Sequence, residues 1–115
     1  MKTRRDLLQR VLESLGVIRN GAAIPADMYR ADDARVKDFL LELDADPRGP
    51  LDFDPLASDE IPDERMSLLT GCCAGIIASK YGIPFDLGLW ERAKTQLFTA
   101  INGPSDFIED EPQDF

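Results

Sequence analysis

The feature that most constrains this chain is the stretch Met66–Ala78, MSLLTGCCAGIIA, in which only Ser67 and Thr70 are polar. At thirteen residues it is too short to span a bilayer, which takes about 20 apolar residues in a helix. A water-soluble helix that is apolar nearly all round has to be enclosed by other elements. The segment therefore reads as the central core helix of a bundle. Its flanks fit: Pro62 stands near a first turn, Asp63 and Glu64 suit the positive end of the helix dipole, and Gly82 and Pro84 stop the run. The predicted helix spans Asp63–Tyr81. Inside it Gly71, Gly75 and Ala78 form a ridge of small residues. Two interior glycines cost about 1 kcal/mol each relative to alanine, so the ridge implies close approach of another backbone.

Three further helices surround this one in the sequence. The first is predicted from Arg4 to Leu15, capped by Thr3 with Asp6 three residues on, and stopped by Gly16. Leu7, Leu8, Val11, Leu12 and Leu15 make its apolar stripe; Arg4, Arg5, Gln9, Arg10 and Glu13 are assigned to the other face. The second is predicted over Asp27–Leu43, with Asp27 as cap and Ala31, Ala34, Phe39, Leu40 and Leu43 inward; Val36 and Leu41 blur the period. Asp33 and Lys37 have the spacing of a surface ion pair. The fourth runs from Leu87 to Ile101 behind Asp86, with Leu89, Trp90, Ala93, Leu97, Ala100 and Ile101 apolar, and stops at Asn102-Gly103-Pro104.

Between the second and third helices lies a long interruption, residues 44–61, where Pro47, Pro50 and Pro55 forbid a helix. Leu51, Phe53 and Leu56 alternate there with acidic residues, the pattern of an extended arm that lays apolar side chains on a surface. After the fourth helix the sequence is acidic (Asp106, Glu109, Asp110, Glu111, Asp114) around Phe107, Ile108 and Phe115. It has too little apolar content to fold alone and reads as a peptide that orders on a partner. The expected architecture is all-α: a small four-helix bundle over 1–103, a proline-containing loop between helices 2 and 3, and an acidic C-terminal arm over 104–115.

The chemistry available is limited. The 115 residues hold no histidine, 22 acidic and 13 basic residues, and a net charge of −9. A body this acidic gains nothing from counterion release on DNA, so tight duplex binding is not expected. Ser-His and Cys-His arrangements are excluded for lack of histidine. No phosphate loop and no zinc-ligand spacing is present, and acidic pairs such as Asp52/Asp54 recur too often to single one out. No catalytic residue, metal or cofactor is assigned. Cys72 and Cys73 are read as inert small hydrophobes inside an apolar helix. Trp90 is read as packing at the core's edge in preference to an interface anchor. The Arg4, Arg5, Arg10 face stands between two readings, a solvated face and a site for acidic or phosphate-bearing partners. With no export signal and no spanning segment, synthesis in a reducing cytoplasm is the simple expectation.

In their order, "TRRDLLQRVLESLGV", "DDARVKDFLLELDAD" and above all "DEIPDERMSLLTGCCAGIIASKYGIP" resemble the helices of tailed-phage head-to-tail connector proteins, the adaptor or head completion group that includes the podovirus tail accessory factor. The resemblance covers residues 3–103. It implies a virion protein of the neck, forming a ring of commonly twelve subunits beneath the portal protein, extending the DNA channel, helping to retain packaged DNA and presenting a platform to other tail or neck proteins. DNA would pass through without sequence-specific contact. By the same resemblance the C-terminal arm docks on the portal, a role carried onto Phe107, Ile108 and Phe115. Arg4, Arg5, Arg10, Leu51, Phe53 and Leu56 are the candidates for contact with a neighbouring subunit or tail part. The alternative from the residues alone is a small acidic helical interaction or regulatory module.

Overall fold

The computed structural model describes residues 2–57 and 60–103. It is all-helical: α1 (Arg4–Ser14), α2 (Ala26–Asp44), α3 (Met66–Ala78) and α4 (Leu87–Asn102), with 3-10 turns at Asp63–Arg65 and Ser79–Tyr81 extending α3 at both ends. Together these turns and α3 cover the predicted Asp63–Tyr81. α3 packs most heavily on α1 and α4 and also meets α2, while α2 packs on α1. α1 and α4 thus flank the apolar helix, and α2 closes part of it from a third side.

The start of α1 follows directly from its sequence. Thr3 Oγ1 accepts the Asp6 N–H and the Asp6 carboxylate accepts the Thr3 N–H, both at 3.0 Å, a reciprocal capping box. Those bonds hold the Asp6 carboxyl below its usual range. Leu7, Leu8, Val11 and Leu12 are fully buried, and Gly16 adopts the left-handed conformation (φ +76°) that ends the segment.

α2 differs from expectation at its cap and in its register. Pro25 occupies the cap position without a side-chain bond, and Asp27 sits exposed in the first turn beside Arg30. The buried positions are Asp32, Val36, Phe39, Leu40 and Leu43, whereas Ala31 and Ala34 face solvent. The spacing i, i+4, i+7, i+8, i+11 is one helical stripe, and Val36 belongs to it once a carboxylate is allowed at its head. Asp33 bonds to Arg4 of α1 in place of the expected pairing with Lys37.

The 44–61 interruption is anchored at both ends. The Leu51 N–H donates to Asp44 Oδ1 at 3.1 Å, and Lys2 and Ile61 exchange two backbone bonds at 2.8 and 3.0 Å. Leu51, Pro55 and Ile61 are buried and Phe53 packs against the core. In α4, Leu97 and Phe98 are the fully enclosed side chains, while Leu89 and Ala100, expected inward, are exposed. Phe98 lies under the Arg48 guanidinium, 4.9 Å from its ring centre, so the loop before α3 covers that flank.

Candidate functional site

α3 has two unlike sides. Leu69, Cys72, Cys73 and Ile77 are sealed at 0% exposure. On the opposite side Gly71 is exposed and Ala74 half-buried. A groove of about 390 Å³ runs there, lined by Leu15, Gly71, Ala74, Phe85, Leu89 and Trp90 among others. A separate polar depression of about 450 Å³, nearer the start of α3, is bordered by Arg10, Glu13, Ser14, Asn20, Ser67 and Thr70.

The rim is built by the turn between α3 and α4. Gly82 takes φ +68°, which reverses the chain. Asp86 then caps α4, its Oδ1 accepting from the Gly88 and Leu89 N–H groups at 2.8 and 3.2 Å. This turn leaves Phe85, Leu87 and Leu89 exposed at 45%, 60% and 58%. The chain therefore displays three large apolar side chains within five residues.

Trp90 forms the groove's fixed wall. Its indole N–H donates to the Cys72 carbonyl at 2.8 Å, Phe39 stacks at 6.1 Å, Phe85 meets it edge-on at 6.0 Å, and the Lys94 ammonium lies 4.0 Å over the ring. Gly75 makes this possible: a Cβ there would sit 2.4 Å from Trp90 Cδ1. The same atom at Gly71 would meet only Ala93 Cβ, at 3.7 Å. The small-residue ridge thus divides, Gly75 serving internal packing and Gly71 forming open groove floor.

The predicted partner-facing residues separate in the same way. Arg4 is an interior tie: its guanidinium grips Asp33 through two bonds of 2.6 and 3.0 Å, with both side chains mostly buried and the guanidinium held more firmly protonated by that carboxylate. Its position four residues before Leu8 and seven before Val11 places it on the buried stripe. Arg5 stays at the surface over the Tyr29 ring, 4.4 Å from its centre, and Arg10 is exposed beside the polar depression. Leu51 is 7% exposed and belongs to the core, Phe53 packs against it, and Leu56 projects at 59% exposure. Phe107, Ile108 and Phe115 lie outside the described residues.

One polar site went unread in the sequence. Asp32 is fully buried, accepting from Lys80 Nζ at 2.6 Å and from the Tyr81 hydroxyl at 2.5 Å. A buried carboxylate is tolerable only when both oxygens are satisfied, and here the bonds pin α2 to the end of α3. Burial, and then the carboxylate as neighbour and hydrogen-bond acceptor, push the Tyr81 phenol up to about 12. The signal was the aspartate at the head of the Val36–Phe39–Leu40–Leu43 stripe. With each oxygen bonded, Asp32 acts as a clamp between α2 and the end of α3.

Cys72 and Cys73 are free and buried. Burial raises the Cys72 thiol to about 11 against the opposing pull of Lys94 and Arg48, and raises Cys73 further, so neither presents a thiolate. Among the described residues no group of three or more acidic or cysteine side chains is arranged to hold a metal, and no helix is long and apolar enough to cross a membrane. What this arrangement can do chemically is bind an apolar surface. No protein-family model matches the chain, and no curated protein and no solved structure matches it.

Proposed function

We propose that this protein is a structural subunit of a phage head-to-tail connector ring, attached beneath the portal protein, where it extends the DNA channel, helps retain packaged DNA and offers a platform to tail components. The observation that carries the reading is the uncovered side of α3. A chain this small has little apolar surface to spare, yet it leaves a groove over its central helix and exposes Phe85, Leu87 and Leu89 beside it. Exposed apolar surface concentrated in one place marks a site covered by another protein. The buried Asp32 carboxylate is engaged by Lys80 and Tyr81, and burial raises the Cys72 thiol. The resemblance of the helical segments to connector proteins supplies the assembly, a ring of commonly twelve copies in the virion neck made in the host cytoplasm.

In this reading Phe107, Ile108 and Phe115 attach the subunit to the portal. The net charge of −9 suits a channel wall past which DNA slides, since acidic walls repel phosphates. The test is to mix purified protein with the portal and measure the complex by native mass spectrometry and electron microscopy. A ring of many copies on one face of the portal is expected, and deletion of residues 105–115 should weaken attachment while leaving the circular dichroism spectrum of the helices unchanged. A tight one-to-one complex with a cytosolic protein, and no entry into any ring, would instead identify a small acidic interaction module.

A further inference from the structure

The lining of the α3 groove is held with unequal firmness. Its floor is α3 itself, at Gly71, Ala74 and Gly75. Trp90 is fixed by the Cys72 carbonyl, by Phe39 and by the niche at Gly75. Pro84, Phe85 and Asp86, by contrast, belong to the connection between α3 and α4, and Leu89 to the first turn of α4. From Gly82 to Leu89 every residue is exposed except Ile83, which is half-buried. The core and the side chains packed on it take in Tyr81 before this segment and Trp90 after it, but none of Ile83, Phe85, Leu87 and Leu89. Among the described residues no hydrogen bond or ion pair ties Gly82–Leu89 to α1 or α2. Its bonds are local: Gly82 N–H to the Ser79 carbonyl at 3.2 Å, Ile83 N–H to the Ala78 carbonyl at 3.0 Å, and the Asp86 cap. The edge of Phe85 on Trp90 is its ring contact with the body.

Immediately before the segment stands the Asp32 clamp. Lys80 and Tyr81 lie in the 3-10 turn that ends α3, and both reach across to α2. Gly82 follows at φ +68°, a conformation in which glycine carries no steric penalty. The segment therefore hangs between two anchors of different kind. Trp90 is anchored by packing. The clamp is polar, and Lys80 keeps 32% of its side chain exposed, so its ammonium can pass to water. Asp32 cannot do so cheaply. It is fully buried, and opening must bring water to it or leave a carboxylate unpaired, a cost that holds the clamp shut. Regions with few apolar contacts and exposed backbone bonds open before the core does.

We propose that Gly82–Leu89 is a strap along the α3 groove, latched by Asp32 of α2 through Lys80 and Tyr81, and that it opens as a unit while the core stays folded. Latched, it keeps Phe85 on the edge of Trp90 and narrows the groove. Released, it swings about Gly82, carries Phe85 off the indole and widens the groove for an incoming apolar surface. Asp32, Lys80 and Tyr81 are thereby positioning residues for the exposed rim. The strap is a property of the single chain, so it is tested without portal or ring, and its failure leaves the connector reading untouched.

The test compares full-length wild type with Tyr81→Phe, which leaves Lys80 on Asp32 and removes one bond to a buried carboxylate, worth about tenfold or more in the opening equilibrium. Native-state hydrogen exchange follows the Ile83 amide against the amides of Leu8, Val11 and Leu12 in α1. Acrylamide quenching follows Trp90, the only tryptophan. Exchange at Ile83 should quicken about tenfold or more with the α1 amides changed far less, and quenching should rise. Lys80→Gln should act in the same direction, and it replaces Tyr81→Phe if that variant does not fold. A clamp that merely stabilises the whole fold predicts Ile83 and α1 quickening by the same factor; that result overturns the proposal. So does unchanged exchange at Ile83, or faster exchange there with Trp90 quenching unchanged, since the strap would then be unlatched by neither bond or would not carry Phe85.

Discussion

The two sides of α3 are made from the same kind of residue and behave oppositely. On one side the helix presents Leu69, Cys72 and Ile77, sealed from solvent within the core. Toward the surface it presents Gly71 and Ala74, with apolar side chains exposed along the rim. An apolar helix does not have to be enclosed on every side by its own chain; the open side is where the fold stops supplying partners. Small residues occur on both: Gly75 and Ala78 are buried, whereas Gly71 is exposed.

The largest effect that distinguishes the two sides is truncation of a leucine. Leu69→Ala empties part of the sealed core and should lower the unfolding free energy by about 2–5 kcal/mol, measured by urea denaturation. Leu89→Ala, on the rim, should leave the monomer's stability within about 0.5 kcal/mol. Equal losses at the two positions would show that the groove is closed in solution. Next come the glycines. Gly75→Ala puts a methyl group 2.4 Å from Trp90 Cδ1 and should destabilise by about 1–3 kcal/mol, with a change in the emission of Trp90, the only tryptophan of the chain. Gly71→Ala meets nothing closer than 3.7 Å and should be neutral or stabilise by up to about 1 kcal/mol in the monomer. A loss at Gly71 matching that at Gly75 would erase the division of the ridge.

The smallest effect tests the clamp that holds α2 against the end of α3. The Tyr81 phenol is raised from 10.0 in the unfolded chain to about 12, so the folded protein keeps that proton longer. Its contribution to stability is complete below pH 10 and is lost as pH rises toward 12, because the unfolded state releases the proton first. Urea midpoints should fall over that window, and less steeply in Tyr81→Phe. Identical slopes in the two proteins would disconnect Tyr81 from the buried Asp32.

Much of this was legible residue by residue. Thr3 and Asp6 specify their reciprocal cap within one turn, and Asp86 caps α4 by bonding to N–H groups two and three residues away. Such interactions need only local spacing, so the elements and most of their ends can be read from the chain. The register of α2 was harder, since Asp32 and Arg4 look like surface residues until a partner is known. Each is a charge placed on an apolar stripe, and each is buried because a distant residue, Lys80 with Tyr81 or Asp33, satisfies it. Leu51, Phe53 and Leu56 share one sequence pattern, yet the first two pack into the core and only the third projects.

The sequence by itself determined that the chain is helical, that Met66–Ala78 lies at its centre, and that histidine-based catalysis is impossible. Periodicity, caps and composition act over a few residues and carry that information locally. Only the tertiary structure decided which side of the central helix stays uncovered. That outcome depends on where α1, α2 and α4 run relative to α3, and on Trp90 filling the space Gly75 leaves while only the small Ala93 side chain stands beside Gly71. Exposure is a property of what is not packed against a residue, and no stretch of sequence states what its distant neighbours leave open.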